Sequence, residues 1–189
     1  MSATTVLALP TGAFTIDTAH SGIHFQVRHL GLSNVRGLFK EFRASLIVGD
    51  SLEDVAVQAE VDLSSIDTNQ ADRDAHLLST DFFNADANPT MTFRSTSVAQ
   101  TGPQEYQMSG DLTINGVTGV IAFDVEFNGT EVHPADQSTR AGFSATGEVR
   151  RSDFGIDFNM PLGMNKLALG EKVKVELDAQ FVIAAGPQE

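Results

Sequence analysis

Histidine is the residue type in this sequence that is best suited to catalysis or metal binding, and the chain of 189 residues contains five. His20 and His24 lie four positions apart, so on one strand they share a face, and that face is polar. A zinc site needs at least three protein ligands, and no third ligand is evident close to this pair. We therefore expect these histidines to make ordinary hydrogen bonds, and we expect no metal site.

His29 differs from these two because it is in phase with Val27 on an apolar face. Either it is a hydrogen-bonded histidine of the core, or its imidazole lies at the mouth of a cavity. In the second case it could contact a polar group of a ligand, since imidazole changes its charge close to pH 6.5.

The sequence lacks the motifs of the common catalytic and phosphate-binding sites. It contains no cysteine, which excludes disulfides, iron–sulfur clusters and thiol catalysis. It also contains no G-x-S-x-G elbow, no Walker loop and no G-x-G-x-x-G. We therefore expect a protein that is not an enzyme and uses no cofactor.

The net charge of the chain limits the classes of partner that it can bind. The formal net charge is −13 at pH 7, and such a surface repels nucleic-acid phosphates and anionic lipid headgroups. We expect no nucleic-acid binding, no electrostatic docking on membranes and no stable membrane insertion.

The elements that must position these side chains are strands, because apolar and polar residues alternate with a period of two. In every run one face is apolar and the other polar, which is typical of antiparallel strands with one solvated face. Asn115-Gly116, between two strand-like segments, predicts a hairpin tip. The clearest runs are residues 23–28, 55–63, 121–127, 143–149 and 173–183.

One strand is unusually long. Residues 35 to 48 contain almost no breaker except Gly37, and the apolar phase slips between Phe39 and Phe42. A phase slip within a strand predicts a bulge or a bend at that point. Long, bent strands favour a deep barrel over a compact sandwich.

A single short helix is expected before residue 80. Thr68 or Asn69 can cap it, and Asn88-Pro89 prevents its continuation into the next strand. Phe82 and Phe83 follow the helix and are expected to close one end of the barrel.

These elements predict an all-β fold, an extended antiparallel barrel of eight strands with one short helix. The inward residues are rich in Val, Ile, Ala and Phe, so a cavity inside the barrel would suit a hydrophobic small molecule. A fully packed interior needs the same inward side chains, and the sequence leaves both interpretations open.

The chain is expected to form one domain, with a flexible N-terminal arm at residues 1–13 and the barrel at residues 14–185. The beginning of the chain lacks the basic and apolar segments of a signal peptide. No segment approaches the roughly 20 apolar residues of a membrane span. We therefore expect a cytoplasmic protein.

Short motifs recur in order along the chain after residue 13, at residues 14–21, 25–31, 35–39, 65–68, 73–77, 81–83, 89–94, 110–114, 116–118, 142–143, 151–155 and 170–173. With these motifs the chain resembles the YceI-like family of lipocalin-like barrels. The resemblance implies a barrel that binds a polyisoprenoid, such as a quinone tail or a polyprenyl phosphate. Many relatives are periplasmic and carry a signal peptide, which the beginning of this chain lacks.

The apolar phase and the resemblance together predict the residues that contact the ligand. Arg36, Arg94 and His29 are the candidates for its polar headgroup, since guanidinium groups bind phosphate and other oxygen acceptors. The predicted lining consists of Phe25, Val27, His29, Phe39, Phe42, Phe83, Met91, Phe93, Phe123, Phe143, Phe154 and Phe181.

Two further arginines in these motifs have a structural interpretation. Arg73 is expected to pair with Asp72 or Asp74, and Arg151 with Asp153, in each case to hold a loop.

Two other functions stay open at this point. One is a lipid-modifying enzyme in which His29 and a nearby acid act at the mouth of the cavity. The other is a solid barrel that binds a protein partner through an edge strand or an apolar patch. A homodimer is compatible with all three functions and is expected from the resemblance.

Overall fold

The computed structural model describes residues 9–164 and 166–183. Residues 1–8, which make up most of the predicted arm, and the last two residues of the predicted domain lie outside the described residues. The first strand begins at Gly12, two residues before the predicted start of the domain, and Leu9 is already buried.

The described chain consists mainly of strands, with one α-helix, α1 (Ala71–Leu78). Short 3-10 turns occupy Thr18–His20, Leu52–Asp54, Leu63–Ser65 and Arg151–Phe154. The strands are β1 (Gly12–Ile16), β2 (Gly22–His29), β3 (Ser33–Phe39), β4 (Phe42–Val48), β5 (Ala56–Asp62), β6 (Ile66–Asp67), β7 (Thr90–Gln100), β8 (Glu105–Ile114), β9 (Val117–Val132), β10 (Thr139–Arg150), β11 (Pro161–Gly163), β12 (Lys166–Leu167) and β13 (Leu169–Ile183).

Eight strands close into an antiparallel barrel, as the sequence predicts. Their order is β1, β4, β5, β7, β8, β9, β10 and β13, and β13 pairs again with β1. β2 and β3 continue β1 and β4 beyond an interruption, and β13 is long enough to pair with both β1 and β2. The wall therefore extends well past the ring of eight strands.

The predicted bend in the long strand is confirmed. β3 ends at Phe39 and β4 begins at Phe42, so Lys40 and Glu41 interrupt the pairing. Phe39 and Phe42 both face the interior, and the two residues between them absorb the change of phase.

The connections define two ends of the barrel. At the lower end lie residues 49–55, 101–104 and 133–138, and at the upper end lie residues 30–32, 68–89, 115–116 and 151–168. The hairpin tip predicted at Asn115-Gly116 is confirmed, with left-handed φ values of 53° and 71°. Such a pair of values matches the tight two-residue turn that Asn-Gly favours.

The helix begins one residue later than a cap at Asn69 predicts and two residues later than a cap at Thr68 predicts. Gln70 caps α1, because its side chain accepts a hydrogen bond of 2.6 Å from the amide of Arg73. The predicted caps Thr68 and Asn69 are wrong, since Asn69 adopts a left-handed φ of 61° and the chain turns once more before the helix starts.

A half-buried ion cluster ties together the lower part of the barrel. Arg140 of β10 donates through Nη1 to Asp17 and through Nη2 to Asp136, the second bond being 3.1 Å long. Asp17 also accepts a hydrogen bond from Gln180 of β13 at 3.2 Å. A hydrogen bond to His20 lowers the pKa of Asp17, and the Ala19 amide and Arg140 act in the same direction.

Replacing Asp17 with Asn should lower the free energy of unfolding at neutral pH by about 2 kcal/mol, because the bonds to a charged acceptor are lost. The pKa of Asp17 is lower in the folded chain, so its contribution is complete above the unfolded pKa of about 3.9 and is lost as the pH falls through the folded pKa. Urea unfolding should show a difference between wild type and variant that shrinks below about pH 4.

Asp124→Asn is the matched control, because Asp124 is exposed on the outer face of β9. It should change the free energy of unfolding by less than about 0.5 kcal/mol. Equal effects of the two substitutions would contradict a stabilising role for the cluster.

Candidate functional site

A cavity of about 730 Å³ runs along the interior of the barrel. Inward residues of all eight barrel strands line it, together with side chains of α1 and of the connection 151–168. Because a cavity of this size exists, the interpretation of the barrel as a fully packed solid is wrong. The volume lies within the range of small-molecule sites.

The lumen stays open partly because three phenyl rings lie over glycines of neighbouring strands. A Cβ atom added to these glycines would lie 2.3 Å, 2.5 Å and 2.7 Å from the nearest ring carbon. Each ring therefore occupies the space beside a glycine backbone, which keeps it close to the wall. The pairs are Phe25 over Gly37, Phe93 over Gly110 and Phe123 over Gly147.

The structure places all twelve predicted lining residues against this cavity. Ten of them come from seven different strands, where the period-two alternation turns them to the same side, and Phe83 and Phe154 come from two connections. Whether they contact a ligand stays a prediction. The twelve are Phe25, Val27, His29, Phe39, Phe42, Phe83, Met91, Phe93, Phe123, Phe143, Phe154 and Phe181.

Two of the three headgroup candidates do not lie in the cavity. Arg36 and Arg94 are exposed and do not contribute to its lining, and their contact with a headgroup stays a prediction. The physical reason is the alternation itself, because Val35 and Phe93 face inward and their successors in the strand must face outward. His29 does line the cavity near its upper end.

The lower end of the cavity is closed by packed side chains. Phe14, Leu46, Tyr106, Phe127 and Phe181 are buried in one cluster there. Leu9 belongs to the same cluster, so the residues before β1 contribute to the closure. Among the described residues, this cluster leaves a ligand in the lumen no open route through this end.

At the upper end the cavity reaches the surface beside the helix and the connection 151–168. His76 of α1 and Met160 of the connection are exposed and also line the cavity. A second exposed pair of lining residues, His24 and Asp178, lies at the side, next to the interruption between β1 and β2. Phe82 and Phe83 line the upper end, which the sequence predicts them to close, and exposed lining residues remain beside them.

Polar groups lie at the upper opening. Arg73 donates from Nε to the Thr68 hydroxyl and from Nη2 to the Thr68 carbonyl, both at 2.7 Å. The Thr68 hydroxyl in turn donates to Asp74 at 2.5 Å. The predicted ion pair of Arg73 with Asp72 or Asp74 is therefore wrong, since Thr68 lies between the charged groups.

The side chain of His76 contacts a carboxylate and two aromatic rings at the same opening. Its Nε2 lies 2.8 Å from the Asp81 carboxylate, and its ring meets Phe82 and Phe158 edge-on at centroid distances of 5.1 Å and 5.0 Å. No motif in the sequence assigns a role to His76, because its aromatic neighbours come from different parts of the chain.

Arg151 is buried at the upper end and lines the cavity with only 6% of its surface exposed. It donates to three carbonyl oxygens, those of Gly170 at 3.0 Å, Ile156 at 3.0 Å and Phe158 at 2.9 Å. The predicted pair with Asp153 is wrong, because these carbonyls occupy the guanidinium instead. Arg151 thereby holds the connection 151–168 over the barrel.

His29 has no acidic partner within the described part of the chain, where no carboxylate oxygen lies within 4.0 Å of its ring nitrogens. Among the same residues, no group of three or more histidine and carboxylate side chains is arranged to hold a metal ion. No helix within residues 9–164 and 166–183 is long and apolar enough to cross a membrane.

Comparison with known proteins identifies relatives over nearly the whole chain. The YceI-like domain model matches residues 14–181. A UPF0312 protein of Staphylococcus epidermidis is 41% identical over 172 residues, which cover 90% of this chain and 97% of that protein.

Solved structures share the fold. BcnA of Burkholderia cenocepacia matches with a TM-score of 0.75 at 20% identity, over 87% of this chain and 98% of its own. A polyisoprenoid-binding domain from Saccharophagus degradans, implicated in plant cell wall breakdown, matches with a TM-score of 0.68 at 14% identity, over 93% and 100% of the two chains.

Proposed function

Because the chain belongs to the YceI-like family, we propose that its barrel binds one long-chain polyisoprenoid lipid and stores or transports it. A quinone with a polyprenyl tail and a polyprenyl phosphate are the two candidate classes. The observation that carries the proposal is the cavity of about 730 Å³ with its largely apolar lining. The polyisoprenoid-binding domain from Saccharophagus degradans, which shares the fold, supports the choice of ligand.

The volume of the cavity limits the length of chain that it can enclose. If a methylene group fills about the 30 Å³ of a water molecule, the lumen holds roughly 25 such groups. That number corresponds to about five isoprene units of five carbons each. A chain of 20 carbons, such as geranylgeraniol, would fit inside entirely.

The closed lower end and the polar upper opening orient the proposed ligand. The apolar tail points down toward Phe14 and Phe181, because the buried side chains there are hydrophobic. The polar end lies at the upper opening, near His29, Arg73 and His76. A headgroup is better placed there because it can keep its hydrogen bonds to water and to these side chains.

We favour binding over catalysis for this cavity. A lipid-modifying enzyme needs a base and a partner that converge on the reacting atoms. His29 is the histidine that the sequence offers for that role, and among the described residues it has no carboxylate within 4.0 Å.

The proposal is tested by native mass spectrometry of the protein purified from its own host, followed by organic extraction and lipid analysis. We expect one bound lipid per chain, with fragments spaced by the mass of an isoprene unit. In parallel, the delipidated protein is incubated with geranylgeraniol added from ethanol, and we expect one molecule to bind.

A delipidated, folded protein that takes up no geranylgeraniol and no longer polyprenyl lipid would contradict the proposed function. A bound lipid of unbranched acyl type, with no uptake of isoprenoids, would keep the cavity as a lipid site and contradict the polyisoprenoid.

A further inference from the structure

Few charged side chains line the cavity, and at its upper end they are cationic. Among the described residues, the charged groups of the lining are Arg73, Arg151 and Asp178. Asp178 lies at the side, next to the interruption between β1 and β2, whereas both arginines lie at the upper end. The polar end of a ligand at the upper opening therefore meets two guanidinium groups.

Arg151 combines deep burial with an unused donor. Only 6% of its surface is exposed, and its Nε and Nη1 donate to the carbonyls of Gly170, Ile156 and Phe158. Within residues 9–164 and 166–183 its Nη2 has no hydrogen-bond partner, and this atom is not among the fully buried polar atoms that lack one. Nη2 therefore keeps accessible surface, and on a buried residue that lines the cavity such surface opens on the lumen.

Arg73 offers a second donor at the same end. Its Nε and Nη2 donate to Thr68, and its Nη1 has no hydrogen-bond partner in the described part of the chain. The side chain is half-buried and lines the cavity. Thr68 thus fixes a guanidinium group that leaves one nitrogen available to a ligand.

The two arginines approach one group of side chains. Nη1 of Arg151 donates to the carbonyl of Phe158, and the ring of Phe158 lies 5.0 Å from the ring of His76. His76 and Arg73 are three residues apart on α1 and both line the cavity, so they share a face of the helix. The guanidinium groups therefore reach the same opening, one from α1 and the other from the connection 151–168.

Carboxylates surround this end of the barrel without joining the lining. They belong to Asp72, Asp74, Asp81, Asp86, Asp153, Asp157 and Glu171. In the described structure no carboxylate oxygen lies within 4.0 Å of a guanidinium nitrogen of Arg73 or Arg151. Asp74 and Asp81 are instead bonded to Thr68 and His76. The charge of the two arginines is thus not neutralised by a contacting carboxylate.

We propose that Arg73 and Arg151 bind an anionic headgroup, and that the ligand is a polyprenyl phosphate rather than a quinone. This inference rests on the proposed function, because it selects one of the two ligand classes named there. A guanidinium buried without a counter-charge costs free energy, and a bound anion offsets part of that cost. Phosphate oxygens also accept hydrogen bonds from the free nitrogens, whereas a quinone accepts hydrogen bonds but supplies no charge.

Geranylgeranyl phosphate and geranylgeraniol test the site, because they share one tail and differ in the charged group. The delipidated protein is titrated with each lipid, and with both in competition, below the concentration at which the phosphate aggregates. Native mass spectrometry measures the loaded fraction. We expect the phosphate to bind at least about tenfold more tightly than the alcohol. Equal affinities, or tighter binding of the alcohol, would overturn the proposal.

Arg73→Met should lower the affinity for geranylgeranyl phosphate at least about tenfold and the affinity for geranylgeraniol less than about threefold. Arg150→Met is the matched control, because Arg150 is exposed at the upper end and does not line the cavity. It should leave both affinities within about twofold. Equal losses of phosphate affinity in the two variants would assign the preference to net charge and overturn the site.

A measurement on the unmodified protein does not depend on how the variants fold. In protein labelled with ¹⁵N-arginine, geranylgeranyl phosphate should shift the side-chain resonances of Arg73 and Arg151, and geranylgeraniol should not. Arg73→Lys assigns one of these resonances by its absence. Unshifted arginine resonances in a protein that has bound the phosphate would contradict the headgroup site.

Geranylgeranoic acid distinguishes a phosphate from another oxyanion on the same tail. Its carboxylate carries one negative charge and two acceptor oxygens, so we expect an affinity between those of the alcohol and the phosphate. Tighter binding of the acid than of the phosphate would overturn the choice of phosphate in favour of a carboxylate lipid.

Failure of the headgroup site and failure of the proposed function give different results. A protein that binds geranylgeraniol and its phosphate equally well keeps the lipid-binding cavity and contradicts only the headgroup site. A folded, delipidated protein that binds neither lipid contradicts the lipid-binding cavity itself.

Discussion

Ala59→Phe should lower the affinity of the protein for geranylgeraniol about a hundredfold while leaving the barrel folded. Ala59 lines the cavity in the middle of β5, between Ala44 of β4 and Phe93 of β7. A phenyl ring at this position occupies the space of about four methylene groups of the lipid. At about 0.8 kcal/mol for each buried methylene, the loss is about 3 kcal/mol, or two factors of ten in the dissociation constant.

The matched control is Ala122→Phe, because Ala122 is exposed on the outer face of β9 and is not part of the lining. Both variants are titrated with geranylgeraniol, and the loaded fraction is measured by native mass spectrometry. Ala122→Phe should bind like the unmodified protein. If the Ala59→Phe variant is folded and binds geranylgeraniol with unchanged affinity, the lipid does not occupy the middle of the barrel.

Arg151→Met should lower the free energy of unfolding by at least about 3 kcal/mol, which makes Arg151 the most sensitive polar residue that we identify. The substitution leaves the carbonyls of Gly170, Ile156 and Phe158 without their donor inside the protein. Each buried carbonyl that loses its partner costs about 1 to 3 kcal/mol. Urea unfolding monitored by circular dichroism measures the difference.

Arg150→Met is the control for this substitution, since Arg150 is adjacent in sequence and exposed. It should shift the free energy of unfolding by less than about 0.5 kcal/mol. Arg151→Lys should recover less than half of the loss, because one ammonium group cannot reach three carbonyls as the planar guanidinium does. Full recovery by lysine would show that the charge matters rather than the hydrogen bonds.

Arg151→Met should also speed the release of a bound lipid, because Arg151 holds the connection that forms one side of the opening. The rate is measured by transfer of geranylgeraniol to empty vesicles, and Arg150→Met again serves as the control. If the Arg151→Met variant is destabilised but transfers the lipid at an unchanged rate, the stability of the connection does not control how fast the lipid leaves the cavity.

The period-two alternation was sufficient to predict the barrel and its lining. Ten of the twelve predicted lining residues lie on strands, and they face the cavity because the buried face of a strand fixes which of its positions point inward. The bend between Phe39 and Phe42 was also predictable, since a change of phase within an apolar run requires extra residues.

The outward positions of Arg36 and Arg94 are predictable from the sequence. Both lie in the family motifs, and Val35 and Phe93 occupy the inward phase beside them. When a family motif and the alternation along a strand imply different directions for a side chain, the alternation is the better guide. The backbone geometry of the strand alone determines the direction of each side chain.

Other features of the site could not be predicted from local patterns. The burial of Arg151 depends on carbonyls of Ile156, Phe158 and Gly170, which reach it only when the connection 151–168 folds over the barrel. The open lumen likewise depends on the register that brings Phe25 beside Gly37. Register across strands is a tertiary property that a single run of residues does not contain.

The closed lower end has a consequence for how the protein would treat lipids of different lengths. A tail cannot pass through the cluster around Phe14 and Phe181, so it must stop there. The number of isoprene units then determines the height at which the headgroup stands. Short polyprenols would be hidden below the opening, out of reach of any enzyme that modifies them, whereas long ones would present their terminal group to the outside. The same barrel would therefore sequester one class of isoprenoid and display the other.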